Sequence, residues 1–560
     1  MIEIRTSGGV SLDLAPDMEF ELIMDNPLLD DEHIPTPFST SIAFPASPKN
    51  KEVFGYVDAM MLRPSQLEIG ATIFASGIPI ISGTLVYDSV DEKKNICYAF
   101  RGADVTESWQ GKIYEIEGIL PGEYGKTVVK RGLYEDVKAP PMIAEGYETE
   151  TAYEPSTDSE TRSSLAANPK YYNEFGSDKF IPAVSLALLA KKILGDAVAA
   201  PLIESLEGLF IIAPHRDSDN VSAASPEIGT FLPDISKADF IKEICKISAS
   251  YVFNDGRGVR IVKAEDIFDS QEYIDLGDRI SDIYSQHYQE PEGYKFGFAE
   301  SSSPSGGIPE SGEDDVDQSI KTVHTLKALL DEPDNEAYKP FLYSPTGDIF
   351  SEKRETFEYR AVVQSGHGAS GYSIVTRTYE EVLSDRVLDA SKNIDLPGES
   401  QRDNTLQMQR VRSVPHGPIG RKGRSSIYSY LYPMMMPIVS IPEVNADRPT
   451  TSYIGAIINN QICDKGCAFA NESTDDYIDS SLALVPERLF QLYHSGLASW
   501  LGSQRQTIKA DLTLSAADVA SFRMWQKVLI KHRPFLVKQL SIRFSAGLGI
   551  TMSSGEFISI

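Results

Sequence analysis

Cysteine, tryptophan and positive charge are all in short supply in this chain. Four cysteines in 560 residues exclude a disulfide-stapled scaffold. Cys463 and Cys467 form a lone C-x3-C with no second pair, whereas structural zinc takes four ligands in recognisable pairs. Cys97 and Cys245 lie in apolar patterns, and a reducing site of synthesis is the simplest inference. The opening MIEIRTSGGV has neither a basic n-region nor an apolar h-region, so no signal peptide is expected, and the sequons at Asn220 and Asn471 then carry no meaning. Long apolar runs are missing too. The most apolar stretch, Ala183–Pro214, is broken by Lys191, Lys192, Asp196, Glu204 and Glu207 and cannot span a bilayer. Against 81 Asp and Glu stand 52 Lys and Arg, a net charge of −29. Such a surface repels nucleic acid and anionic membranes, because phosphate binding relies on Lys and Arg displacing counterions. A soluble protein with acidic faces is the plainer reading of the same numbers.

Motifs of catalysis are equally sparse. LPGEYGKTVV ends like a phosphate loop at Gly125-Lys126-Thr127, but the first glycine of that pattern is replaced by Leu120. The VVKRG that follows reads as a strand, where a helix N-terminus is needed. QSGHGASGYS (Gln364–Ser373) puts Ser beside His without the G-x-S-x-G frame, and a glycine-rich turn between strands accounts for it. The eight histidines, at 33, 215, 287, 324, 367, 416, 494 and 532, are scattered, with no i,i+4 pair and no H-E-x-x-H. His215-Arg216-Asp217 with Asp219-Asn220 lacks the glycine and distal glutamate of a calcium loop, so a solvated turn is expected there. Acid pairs such as Asp30-Asp31 and Asp475-Asp476 become glycosidase groups only at a defined separation in space. No catalytic, cofactor-binding or metal site is therefore assigned, and no cofactor is expected. Two stretches suggest contact surfaces instead. Arg410, Arg412, Arg421, Lys422 and Arg424 form a basic island, either a solvated loop or a dock for an acidic neighbour, another copy of the chain included. Tyr428, Tyr430, Tyr432 and Met434–Met436 make either a core strand or an interface strand.

The patterning is that of a mainly β, multi-domain protein with α+β elements and a few short helices. Residues 1–110 read as an N-terminal β domain. Ile2–Arg5 and Val10–Leu14 flank Ser7-Gly8-Gly9, Met18, Phe20, Leu22 and Met24 alternate, and Leu67–Phe74 and Pro79–Tyr87 flank Ser76-Gly77 before Asn95–Arg101. Residues 111–235 read as an inserted, mostly β or irregular domain, with a long Tyr- and Pro-rich excursion and a helix at Ser185–Leu194 stopped by Gly195. Residues 236–300 begin with Ser236-Lys-Ala-Asp239, a capping-box start, and run into the YVFNDGRGVRIV hairpin. Residues 301–320 are an acidic Gly/Pro/Ser linker or loop. Residues 321–450 form a β domain with strands at Thr356–Val363 and Tyr372–Tyr379, a short helix at Tyr379–Leu388, a long polar loop at 392–424, and strands at Ile427–Tyr432 and Pro437–Ile441. Residues 451–560 close the chain with a strand at Thr507–Leu514, a helix capped at Ser515, an alternating run through Leu536, Leu540, Ile542 and Phe544, and a terminal strand at Glu556–Ile560. No short-period repeat is present.

Four stretches read in order carry a resemblance: Asn26-Pro27-Leu28, then Pro37-Phe38-Ser39, then Phe44-Pro45-Ala46-Ser47-Pro48-Lys49-Asn50, then Phe54-Gly55-Tyr56. This resembles the N-terminus of tail baseplate hub proteins from phages and prophages of Bacteroidetes-type bacteria. Ser236–Val262 is similar to their helix-then-hairpin unit, and Pro534–Ser545 to their final strands. Together these cover about a quarter of the chain, and residues 110–235 and 310–500 match nothing recognisable. The resemblance implies two barrel-like, tail-tube-like β domains in a ring, a homotrimer, joining the tail tube to the tip or spike in the virion. The tube, distal tail, spike and tape-measure proteins would be the neighbours, DNA would pass without specific binding or membrane insertion, and assembly would occur in the host cytoplasm. Pro45 and Pro48 would turn the chain, with Phe54 and Tyr56 anchoring the stub of helix. The alternatives are a tail-associated cell-wall or glycan hydrolase, with its site in the unassigned middle, and a host-surface glycan-binding adhesin.

Overall fold

The computed structural model describes residues 1–29, 34–58, 67–102, 109–119, 134–140, 180–213, 228–254, 258–298, 401–410, 452–458 and 489–560, with short segments elsewhere between 129 and 478. In chain order the elements used below are β1 (Ile2–Thr6), β2 (Glu19–Asp25), β3 (Phe38–Phe44), α1 (Pro48–Val53), β4 (Glu68–Ala75), β5 (Ile78–Val90) and β6 (Ile96–Gly102). Then come α2 (Leu186–Leu194), α3 (Asp196–Leu206), β7 (Leu209–Ile212), α4 (Lys237–Ile247), β8 (Ser250–Asn254), β9 (Val259–Lys263), β10 (Ile280–Gln289), β11 (Gly293–Phe298), β12 (Gln401–Leu406) and β13 (Tyr453–Ile458). The last are α5 (Ser495–Leu501), β14 (Arg505–Thr513), α6 (Ala516–Ser521), β15 (Lys527–Ile530), β16 (Arg533–Ser545) and β17 (Met552–Ser559).

The protein is mainly β. Its largest unit is a 13-stranded sheet that runs β1-β4-β5-β6-β3-β2-β16-β17-β14-β10, with β15 and two short strands off this path. Two closed barrels were implied by the resemblance; among the described residues no pairing closes this sheet on itself. The N-terminal and C-terminal strands are halves of one open sheet, because the 13-residue β16 pairs with β2 along one side and with β17 along the other. A second sheet joins β7 and β13 to Ala183–Ser185, and α4 leads into the β8–β9 hairpin as its capping pattern indicates.

The local signals account for most of these elements. Ser76 and Gly77 both have positive φ, 50° and 79°, the backbone of a tight two-residue hairpin turn, and they connect β4 to β5. Ser185 caps α2 through Leu188 N–H, and Gly195 at φ 79° stops it. Ser236 accepts from Asp239 N–H at 3.0 Å, and Ser515 and Asp518 form a reciprocal capping box on α6. Two expectations are corrected. Tyr379 lies in the strand Tyr372–Val382, opposite Phe357, so no helix begins there; Tyr, Thr and Val favour an extended chain once a partner strand is present. The polar stretch 392–424 contains β12 and the strands Gln409–Arg410 and Arg412–His416. β12 is extended because it lies parallel to β11 from Gly293↔Gln401 to Phe298↔Leu406, a tertiary pairing that overrides its polar composition. The stretch Ile427–Tyr432 and the linker 301–320 fall outside the described residues.

α1 shows why a helix of six residues persists in the N-terminal half. Ser47 caps it, accepting from Asn50 N–H at 3.2 Å, and Pro48 occupies its first position, where the missing N–H costs nothing. Gly55 and Tyr56, at φ 65° and 58°, end it in the left-handed region, with Tyr56 N–H donating to Lys51 C=O at 2.8 Å. So short a helix is stable only through tertiary contacts, and Phe54 provides them. Its ring is fully buried, stacked on Tyr98 at 4.5 Å and edge-on to Phe44 at 5.3 Å. Tyr56 is 50% exposed, so of this aromatic pair only Phe54 anchors the helix. Phe54→Ala should destabilise by about 3–5 kcal/mol, and Tyr56→Ala by less than about 0.5 kcal/mol, in urea unfolding followed by fluorescence.

Candidate functional site

Two buried asparagines explain the spacing of the N-terminal motif. Asn26 follows β2, and its backbone N–H donates to Lys538 C=O at 3.0 Å. Its side-chain amide donates to Val537 C=O at 2.7 Å and Met524 C=O at 3.0 Å, while its carbonyl accepts from Leu28 N–H at 2.9 Å. Val537 and Lys538 lie at a bulge in β16 between Val537 and Gln539, where ladder bonding is interrupted. Asn50, in α1, donates to Asp13 C=O and Pro45 C=O, both at 2.9 Å, and accepts from Asp13 N–H at 3.0 Å. Ser47 Oγ donates to the Asp13 carboxylate at 2.6 Å, and that bond first, with Lys49 beside it, holds the Asp13 carboxyl below its usual range. The motif residues are thus fasteners: Asn26 ties the end of β2 to the C-terminal strands, and Asn50 ties α1 to the loop before β2.

A second buried polar cluster sits where four remote segments cross. His494 ends a π-helical turn, Phe490–His494, that runs straight into α5; such turns recur at functional positions. The ring has no exposure and stacks on Phe296 of β11 at 4.0 Å. Its Nδ1 lies 2.6 Å from Tyr294 Oη, and its Nε2 lies 3.2 Å from Ile247 C=O at the end of α4. Asn404 of β12 donates its amide to Tyr294 Oη at 2.7 Å. A carbonyl can only accept, so Nε2 carries the proton and Nδ1 accepts from the tyrosine. Burial pushes the His494 pKa down to about 4, opposed by the carbonyls of Ile247 and Lys246. Beside the cluster, Glu243 pairs with Lys246 at 2.8 Å and accepts from Gln407 N–H at 2.7 Å, so α4 is bound to the end of β12. The adjoining cleft, lined by Pro27, Lys242, Cys245, Tyr251 and Asn404, measures about 70 Å³, room for a few waters. Burial raises the Cys245 thiol to about 12, which leaves it unreactive.

The sequence candidates distribute differently. Gly125-Lys126-Thr127, the 215–220 turn, Cys463 and Cys467, the acid pairs at 30–31 and 475–476, and Arg421, Lys422 and Arg424 fall outside the described residues. So do the glycine-rich residues 365–371, although the strands on either side pair from Gln364↔Tyr372, as a turn between strands requires. Arg410 and Arg412 lie on separate short strands, and Met434–Met436 pair with Val414–His416. Among the described residues no three His, Cys, Asp or Glu gather within reach of one ion, and no helix is long and apolar enough to cross a membrane. The His494 cluster was not singled out because its partners are up to 247 residues away and no spacing rule joins them. At the end of the large sheet, β10 pairs only with β14 among the described residues, and it presents Tyr284 and Tyr288, 55% and 60% exposed.

No family model matches the sequence, and no curated protein matches it. Among solved structures, a 43 kDa tail protein of prophage MuSo2 from Shewanella oneidensis is 8% identical, with 99% of this chain and 97% of that one covered at a TM-score of 0.33. A tail protein from Neisseria meningitidis is 10% identical, with 100% and 96% covered at 0.31. Prophage tail protein gp18 from Listeria monocytogenes is 8% identical, with 100% and 94% covered at 0.28. Superpositions this loose establish neither a shared fold nor a shared role. Tyr294→Phe should cost about 1–3 kcal/mol in urea unfolding at pH 7.5, because it leaves the Asn404 amide and His494 Nδ1 without their partner.

Proposed function

We propose that the chain is a structural component of a phage tail, a baseplate hub that joins the tail tube to the tip or spike and lines the DNA path in the virion. The observation that carries this reading is the role of the resemblance motif itself. Of the residues by which the sequence resembles tail hubs, Asn26 fastens the N-terminal strands to the C-terminal ones in one wide sheet, and Ser47, Asn50 and Phe54 fix α1 within the N-terminal half of it. Such a frame suits a protein that works by holding neighbours in place. The hub is a homotrimer assembled in the host cytoplasm, contacting tube, distal-tail, spike and tape-measure proteins. Its net charge of −29 suits a conduit, since phosphates pass an acidic wall without counterion-releasing contacts. The purified protein should have a solution mass three times that of the chain at micromolar concentration, and antibody-labelled particles should carry it at the tail tip. A monomer throughout that range, together with tails that lack the label, would overturn the reading.

A further inference from the structure

We propose that the chain Asn404–Tyr294–His494–Ile247 is an acid-sensitive latch: a proton arriving at His494 Nδ1 takes the acceptor away from the Tyr294 hydroxyl and releases the 490–501 segment from β11 and β12. The argument is one of hydrogen-bond direction. Every donor now has one acceptor in a single sense, from Asn404 amide to Tyr294 oxygen, from Tyr294 O–H to Nδ1, and from Nε2–H to Ile247 C=O. Only the neutral Nε2–H tautomer allows this. A proton taken from solvent at Nδ1 turns that nitrogen into a donor aimed at the tyrosine oxygen, which already accepts from Asn404. The tyrosine proton then loses the acceptor that the neutral ring supplied, at a fully buried position where a lost hydrogen bond costs free energy.

Among the described residues no charged group pairs with the ring. α4 carries Lys237, Asp239, Lys242, Glu243 and Lys246, of which Glu243 and Lys246 pair with each other. β12 carries Arg402, which donates to Leu28 C=O at 2.7 Å, and Asp403, and β11 carries Lys295. Just ahead of β11, Glu292 pairs with Arg505 at 3.2 Å. Next to His494 on its own turn is Tyr493, with Lys263 over its ring at 5.4 Å. Both ring nitrogens are already committed to Tyr294 and Ile247. The lowered basicity of the ring, due first to burial, agrees in sign. A histidine held neutral in the folded protein contributes stability fully present above its unfolded pKa near 6.5, and this is lost as pH falls toward about 4.

Hydrogen–deuterium exchange of the full-length protein tests the latch, once rates are corrected for the intrinsic pH dependence of amide exchange. Opening of the peptides spanning 293–298 and 490–501 should rise about tenfold per pH unit between pH 6.5 and 4.5. His494→Gln, which can donate and accept without ionising, should be flat over that window. Equal pH profiles for the two proteins, or a wild-type profile without slope, would overturn the proposal. If the variant fails to fold, NMR of the wild type with labelled histidine decides. The Nε2–H tautomer at pH 7.5, with protection lost as the ring titrates, supports the latch; an Nδ1–H tautomer, or a ring that titrates with protection unchanged, rejects it.

Discussion

Everything in the large sheet depends on the seam between β2 and β16. There Glu19–Asp25 lie opposite Ser545–Gln539 residue for residue, and the interior face is closed by Phe20 stacked on Phe544 at 4.9 Å. Without this ladder the N-terminal strands would be a small meander with an exposed edge, which is hard to keep folded and open to mispairing. The seam needs one special device because β16 bulges between Val537 and Gln539, where β2 ends. Asn26 is that device, reaching carbonyls in two C-terminal segments, one of them 511 residues away in sequence. Loop-closure entropy for so distant a contact grows only logarithmically, so a buried bidentate amide and an apolar ladder suffice to hold it.

The charges along the seam follow the same geometry. Arg543 on β16 grips Glu21 of β2 at 2.7 Å, and Gln539 reaches Asp25 at 2.8 Å. On the other side of β16, Lys538 and Lys509 converge on Glu556 from 2.8 and 3.3 Å. Hydrogen bonding to Glu21 raises the Arg543 pKa, and the two lysines hold Glu556 below its usual range despite partial burial. Exposed pairs of this kind add little stability singly; directly across neighbouring strands they favour the observed register over its alternatives. Several scarce cations are thus engaged inside the sheet, which leaves the acidic excess to the remaining surface.

A different logic governs the middle of the chain. α4, β11, β12 and the turn before α5 are each short, and none would persist alone. They are held by buried polar groups that meet at one place, His494 with Tyr294 and Asn404, and Glu243 with Lys246 and Gln407. Polar clusters of this sort are stabilising only when every member is satisfied, and this one is satisfied in a single protonation state. The fold therefore combines a seam held by an apolar ladder and exposed ion pairs with a buried polar crossing that is satisfied in one protonation state.

The amino-acid sequence by itself determined the local pieces: the Ser76-Gly77 turn, the caps at Ser47, Ser185, Ser236 and Ser515, the alternation of β2 and β16, and the stop at Gly195. Each rests on interactions within a few residues, where φ preferences and side-chain-to-backbone bonds decide the outcome. Tertiary structure alone decided that β12 is a strand despite its polar sequence, that Tyr372–Val382 stays extended past Tyr379, that the two ends of the chain share one open sheet, and that a lone histidine joins four segments. Those outcomes depend on partners contributed from remote parts of the chain, and a hydrogen bond between residues hundreds of positions apart leaves no periodicity for a sequence to show.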